Sequence, residues 1–315
     1  MNAAKPLKMR QSAPSGRGFD LPAWTQRQLH AVETALDMWV ACPRTRPAPA
    51  GLGEAMRYAV LDGGKRLRPL LVLAACEAVG GNPEAALRAA CAVELIHAYS
   101  LVHDDMPCMD NDVLRRGKPT VHVRFGQAQA LLAGDALQAL AFELLTPEDS
   151  AMPAGMQALL CRMLAQAAGC QGMAGGQAID LASVGQPITS AQLHDMHRLK
   201  TGALLQASVM MGAACGLPGG PAQRALADYG AAIGLAFQVV DDVLDVVADS
   251  ATLGKTAGKD AAQDKPTFVS LMGLRASQNY AQELLSQAQA SLRVGGMKDT
   301  AALRALADML VNRGF

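Results

Sequence analysis

Residues 85–105 read AALRAACAVELIHAYSLVHDD, an apolar run that closes on two acids, and Met106-Pro107-Cys108-Met109-Asp110 adds a third. The run predicts one helix, on which His97, Ser100 and Asp104 stand at i, i+3 and i+7 and so share a face. A second run repeats the device. Residues 229–248 (YGAAIGLAFQVVDDVLDVVA) predict another helix, with Gln238, Asp241 and Asp245 on the same i, i+3, i+7 stripe. The first aspartates of the two copies lie 137 positions apart (241 − 104). Packing does not call for such clusters. Grouped carboxylates repel one another and are costly to bury unless cations neutralise them. Oxygen ligands of this kind suit Mg²⁺, which keeps waters and is completed by substrate phosphates. No His/Cys grouping points to zinc or iron. One such motif alone is compatible with a solvated helix end; two copies on apolar helices argue for metal.

Composition agrees with a helical core. The chain has 315 residues, 50% hydrophobic, 18% charged and only 4% aromatic. Ala, Leu, Met and Gln abound and strand formers are sparse, so the expected class is all-α, a single-domain helical bundle around a central cavity. Net charge is zero, which gives no global field toward nucleic acid or an anionic membrane. Seven cysteines, an odd number without a CxxC pair, read as reduced, buried thiols of a cytoplasmic protein. No apolar run is expected to span a bilayer, so no stable membrane association is expected. Residues 1–20 are polar and Pro/Gly-bearing and are expected to be a disordered tail, with 21–315 as the domain.

Periodicity and punctuation place helices near 22–41, 51–63, 68–80, 84–105, 112–115, 127–145, 151–173, 189–214, 221–248, 266–275, 276–294 and 298–312. The polar run 249–265 is either a flexible loop over a site or a plain solvated loop; composition allows both.

Clustered acid with Mg²⁺ makes sense for phosphate only if cations complete the cage. They occur in compact groups: Gly63-Gly64-Lys65-Arg66-Leu67-Arg68-Pro69, Arg115-Arg116-Gly117, Lys200-Thr201-Gly202, and Lys255 and Lys265. Arg66 is read as a solvated surface charge. Gly254-Lys255-Thr256 lacks the earlier glycine of a P-loop, since position 249 is Asp.

With these groups in view, the chain resembles the trans-isoprenyl diphosphate synthases, most closely the bacterial farnesyl diphosphate synthases. The resemblance covers about residues 24–312. It rests on GGKRLRP (63–69), ELIHAYSLVHDDMPCMDNDVLRRGKPT (94–120), GDAL (134–137), GMAGGQAID (172–180), KTG (200–202), FQVVDDVLD (237–245) and the 254–265 loop. It implies an all-α homodimer with three Mg²⁺ per active site. Asp104 and Asp110 would bind metal, with Asp105 in the same motif, and so would Asp241, supported by Asp242 and Asp245. Arg115, Lys200, Lys255 and Lys265 would hold an allylic diphosphate. Gly64, Lys65, Arg68, His97 and Arg116 would line the isopentenyl diphosphate site. Thr201 and Gln238 would direct oxygen dipoles at the reacting carbon. The implied catalytic set is Lys200, Thr201, Gln238 and Arg115.

Within that family, bulk just before the first motif and a two-residue insertion inside it accompany short products. Here these are Tyr99, beside Ser100, and Pro107-Cys108, so the expected product is C15 farnesyl diphosphate, with C20 geranylgeranyl diphosphate as the alternative. A terpene cyclase would usually replace the second DDxxD, and a head-to-head synthase would lack the GKRLRP element. A non-catalytic partner subunit of a heteromeric synthase is the alternative from another class; such subunits tend to lose an aspartate or arginine that this chain keeps. The C-terminal Arg313 is a weak counterpart of the basic tail found in relatives.

Overall fold

The computed structural model describes residues 19–61, 63–148, 152–186, 188–216, 219–247 and 267–313. The described helices are α1 (Leu21–Trp39), α2 (Leu52–Val60), α3 (Leu67–Val79), α4 (Pro83–Asp104), α5 (Val121–Phe125), α6 (Gln127–Leu145), α7 (Ala154–Ala168) and α8 (Met173–Ser183). They continue as α9 (Ser190–His197), α10 (Ala203–Ala214), α11 (Gly220–Val247), α12 (Phe268–Met272), α13 (Leu274–Val294) and α14 (Ala301–Asn312). Among the described residues the only strands are β1 (Leu114–Arg115) and β2 (Lys118–Pro119).

Local chemistry fixes the ends. Asn82 caps α4 by accepting from the Glu84 and Ala85 amides at 2.9 and 3.1 Å, and Pro83 needs no donor at the first position. Thr189 and Gln192 close a capping box on α9. Asp20, inside the stretch read as a tail, caps α1; residues 1–18 lie outside the described residues.

Two apolar clusters form the core. One gathers α2, α4, α6 and α7; the other gathers α9, α11, α13 and α14; α1, α3 and α10 contribute to both. α4 is apolar on nearly every face because neighbours enclose it. This corrects one expectation: α4 and α6 are long and apolar enough to cross a membrane by length and composition, although most of the apolar window of α4 is buried inside the protein.

Other departures have local causes. The expected helix at 112–115 is a hairpin instead, with Leu114 opposite Pro119 and Arg115 opposite Lys118. Its two-residue turn, Arg116-Gly117, has φ of 52° and 75°, which matches the strand twist and ends any helix. The expected 151–173 helix stops at Ala168, and α8 follows as a separate helix through the Gly-rich 172–180 segment. The expected 189–214 helix contains a π-helical turn over Arg198–Gly202. The cysteines are all free, but Cys108 and Cys170 are exposed rather than buried. Lys255, Lys265 and the 249–265 loop lie outside the described residues.

Candidate active site

A cavity of about 390 Å³ opens between α4, α8 and the π turn. Its lining includes Arg68, His97, Tyr99, Ser100, Asp104, Lys200 and Thr201, all of them singled out from the sequence, together with Met173, Ala174, Gln177, Ala178 and Leu181 of α8.

The first acidic motif sits where α4 ends. The chain turns back so that the Asp110 amide donates to the Asp104 carbonyl at 2.9 Å, which draws the two side chains toward one place. Burial, foremost, and the charges of Asp110 and Asp105 push the Asp104 carboxyl up to about 6, against the pull of Lys200 and Arg115. Such a carboxylate favours a further cation. Asp105 has another task. It is buried and accepts the Arg115 guanidinium as a fork, Nε at 2.9 and 3.1 Å and Nη2 at 2.6 Å. It therefore aims Arg115, and direct metal ligation by Asp105 would require that fork to break.

The second motif divides in the same way. Asp242 is buried, accepts from Gln238 Nε2 at 2.8 Å, and accepts from the Phe268 amide at 2.8 Å. It braces α12 and orients Gln238. Gln238 Oε1 in turn accepts from the Thr201 hydroxyl at 3.2 Å, linking α11 to the π turn. Asp245 is buried on the same stripe. Asp241 is more exposed, and its carboxylate already holds a cation, the Arg313 guanidinium.

The basic groups gather beside these acids. The 63–66 turn runs through positive φ at Gly63, Gly64 and Arg66. A side chain on Gly64 would meet Arg116 Nη1 at 2.9 Å, so only glycine lets Arg116 reach the Gly63 carbonyl. Arg66 turns inward. It is buried and paired with Glu94 and Glu33, each at 2.7 Å, which corrects its reading as a solvated charge. Burial and the nearby Arg313 and Arg116 hold the exposed Lys65 below its ordinary pKa, with Asp241 opposing. Burial, then Arg68, Arg116 and Arg115, hold His97 well below its own. The Arg68 Nε is buried without a hydrogen-bond partner. Cations that depress one another in this way suit a multiply charged anion.

Lys200 shows what sequence reasoning missed. Its ammonium pairs with Asp180 of α8 at 2.5 Å, and Asp180 is buried. A side chain on Gly176 would collide with the Lys200 backbone, so α8 docks on the π turn through bare backbone. The available signal was a lone acid, Asp180, in the otherwise uncharged 172–183 segment.

No three His, Cys, Asp or Glu side chains form a closed metal cage among the described residues. Grouped carboxylates with cations beside them are nonetheless a donor set that magnesium uses, with waters and phosphates filling the rest. The residues fit.

Comparisons with known proteins agree with this geometry. The pattern of the family described as Polyprenyl synthetase matches residues 49–300. The chain is 42% identical to a farnesyl diphosphate synthase of Geobacillus stearothermophilus over 91% of this chain and 95% of that one. It is 45% identical to a large subunit of a heterodimeric geranylgeranyl pyrophosphate synthase of Arabidopsis thaliana, over 97% and 82%. The structure of an FPP/GFPP synthase from Zymomonas mobilis superposes with a TM-score of 0.80 at 42% identity, covering 92% of this chain and 98% of that one. The chain belongs to the polyprenyl synthetase family and is a prenyl diphosphate synthase.

Proposed function

We propose that the protein condenses isopentenyl diphosphate head-to-tail with dimethylallyl and then geranyl diphosphate, releasing (2E,6E)-farnesyl diphosphate and diphosphate. The observation that carries this reading is the convergence of Asp104, Lys200, Thr201, Arg68 and His97 on one cavity. Acid for metal, cations for two diphosphates and an apolar chamber for a growing tail meet there.

Lys200 and the Asp105-held Arg115 grip the allylic diphosphate, and Lys65, Arg68, His97 and Arg116 grip the isopentenyl diphosphate. Asp104, Asp110 and Asp241 would hold magnesium. When bound, magnesium would supply charge neutralisation to the departing diphosphate. As the allylic carbon–oxygen bond breaks, the Thr201 hydroxyl and Gln238 amide oxygens steady the allylic cation. The isopentenyl double bond attacks it, and the departed diphosphate accepts the proton lost. The chamber limits water, which would otherwise quench the cation.

Tyr99 is the proposed floor. It lines the cavity and meets His103 edge-on, with ring centroids 5.7 Å apart. The C20 alternative draws support from the geranylgeranyl relatives. We further read the protein as a homodimer, with the exposed apolar side chains Val123 of α5 and Leu131 and Leu132 of α6 as surface a second copy would cover, and as cytoplasmic from its free cysteines.

The test is incubation of the purified chain with dimethylallyl and isopentenyl diphosphates and Mg²⁺, then dephosphorylation and chromatography. A dominant C15 alcohol is expected. A C20 alcohol selects the alternative, and the absence of any prenyl product sinks the catalytic reading.

A further inference from the structure

Arg313 follows the last residue of α14, and its guanidinium is pinned between two groups of α11. Nη2 donates to Asp241 Oδ1 in an ion pair. The guanidinium carbon lies over the Phe237 ring at 4.6 Å from its centroid. Phe237 and Asp241 are four residues apart, so ring and carboxylate form one face. The Arg313 side chain is only 16% exposed and that of Asp241 39%. A cation thus rests on the carboxylate that carries the second acidic motif. The Asp241 carboxylate keeps part of its surface in solvent, and from that side a divalent ion can compete with the guanidinium for it.

We propose that Arg313 is the placeholder cation of the second motif, neutralising Asp241 in the metal-free protein and leaving it when a divalent ion binds, so that metal loading and release of the α14 end are one event. The proposal rests on the metal role of Asp241 given above. It makes Arg313 a positioning residue, acting through Asp241 and not on the substrate.

Both halves are measurable on the full chain. Mn²⁺ binding is followed by the loss of the free-ion electron spin resonance signal at low salt, for the native chain and for Arg313→Gln. The variant is expected to bind the second-motif ion about three- to tenfold more tightly. In an Asp241→Asn background the Arg313 substitution is expected to have no effect. Release is read with trypsin, which cuts after Arg313 only when the guanidinium is free and the last turn of α14, with Leu310 and Val311 buried in it, opens into the protease cleft. Mn²⁺ is expected to speed loss of Gly314-Phe315 from the native chain several-fold, scored by mass spectrometry. Equal Mn²⁺ affinity in the native chain and Arg313→Gln overturns the proposal. Tighter binding without faster cleavage also overturns it, because plain charge repulsion would then suffice. A native chain that binds no Mn²⁺ removes the metal role of Asp241 itself, a failure distinct from the other two.

Discussion

Arg115 and Asp105 form a two-armed pair, with three nitrogen-to-oxygen contacts between 2.6 and 3.1 Å and the carboxylate buried. The motif's second aspartate therefore acts through an arginine, while its first faces the cavity. Asp105→Asn should free Arg115 and raise KM for the allylic diphosphate by about tenfold, since one charged contact is worth roughly 1.5–3 kcal/mol. The Mg²⁺ dependence should stay close to native. Steady-state kinetics at several Mg²⁺ concentrations would separate the two effects, and a shifted Mg²⁺ dependence with native KM would reverse the assignment.

Asp104→Asn and Asp241→Asn should each lower turnover by orders of magnitude while circular dichroism remains native. Chelation of divalent metal should abolish product formation reversibly. A variant with unchanged activity would remove that residue from the metal site.

Tyr99→Ala should lengthen the product, because the cavity deepens at the ring it loses. The dephosphorylated products of native and variant, compared by chromatography, decide this. If the variant still stops cleanly at C15, Tyr99 is not the floor.

The buried Arg66–Glu94 pair predicts a stability effect with little direct effect on chemistry. Glu94→Gln leaves a buried guanidinium with one fewer counter-charge, and should cost about 3 kcal/mol, the low end for a broken buried pair because Glu33 remains. Urea unfolding measures it; a loss under about 1 kcal/mol would mean that Glu33 alone suffices.

His197 sets a pH dependence. It is buried against Phe268, with ring centroids 5.4 Å apart, and neither ring nitrogen has a hydrogen-bond partner. Burial, partly opposed by Asp180 and reinforced by Lys200 and His194, lowers its pKa to about 4 from the ordinary 6.5. Between those values the unfolded chain takes up a proton that the folded chain refuses. Stability is therefore full above about pH 6.5 and falls as pH drops to about 4, by roughly 3 kcal/mol in all. His197→Gln should remove about one proton from the acid dependence of unfolding. An unchanged slope would point to other groups.

Much of this was legible before the structure. Long apolar runs such as 83–104 announce helices whatever encloses them, and the first i, i+3, i+7 stripe carries Asp104, which the structure places in the cavity lining. What stayed hidden depended on distant partners. Nothing in residues 63–69 says that Arg66 turns inward while Lys65 stays exposed and Arg68 enters the cavity wall, because Glu33 and Glu94 decide it. Gly176 lets α8 approach Lys200 closely, and no local pattern in 172–180 announces that partner. Asp242 and Asp105 share a motif with the acids proposed as metal ligands, and only the fold reveals that they brace Phe268 and Arg115.

The cavity walls carry two kinds of residue a few positions apart. On α4, Tyr99 lies five residues before Asp104, and on α8, Leu181 follows Asp180 directly. Inserting or deleting one residue between such a pair would rotate the rest of the helix by about 100° and swing the carboxylate off the chemistry. On the proposed reading, in which these walls hold the growing tail, product length along these two helices changes by exchanging one side chain for another. A lineage built on this frame would then drift among chain lengths by point substitution and not by changing the length of the helices themselves.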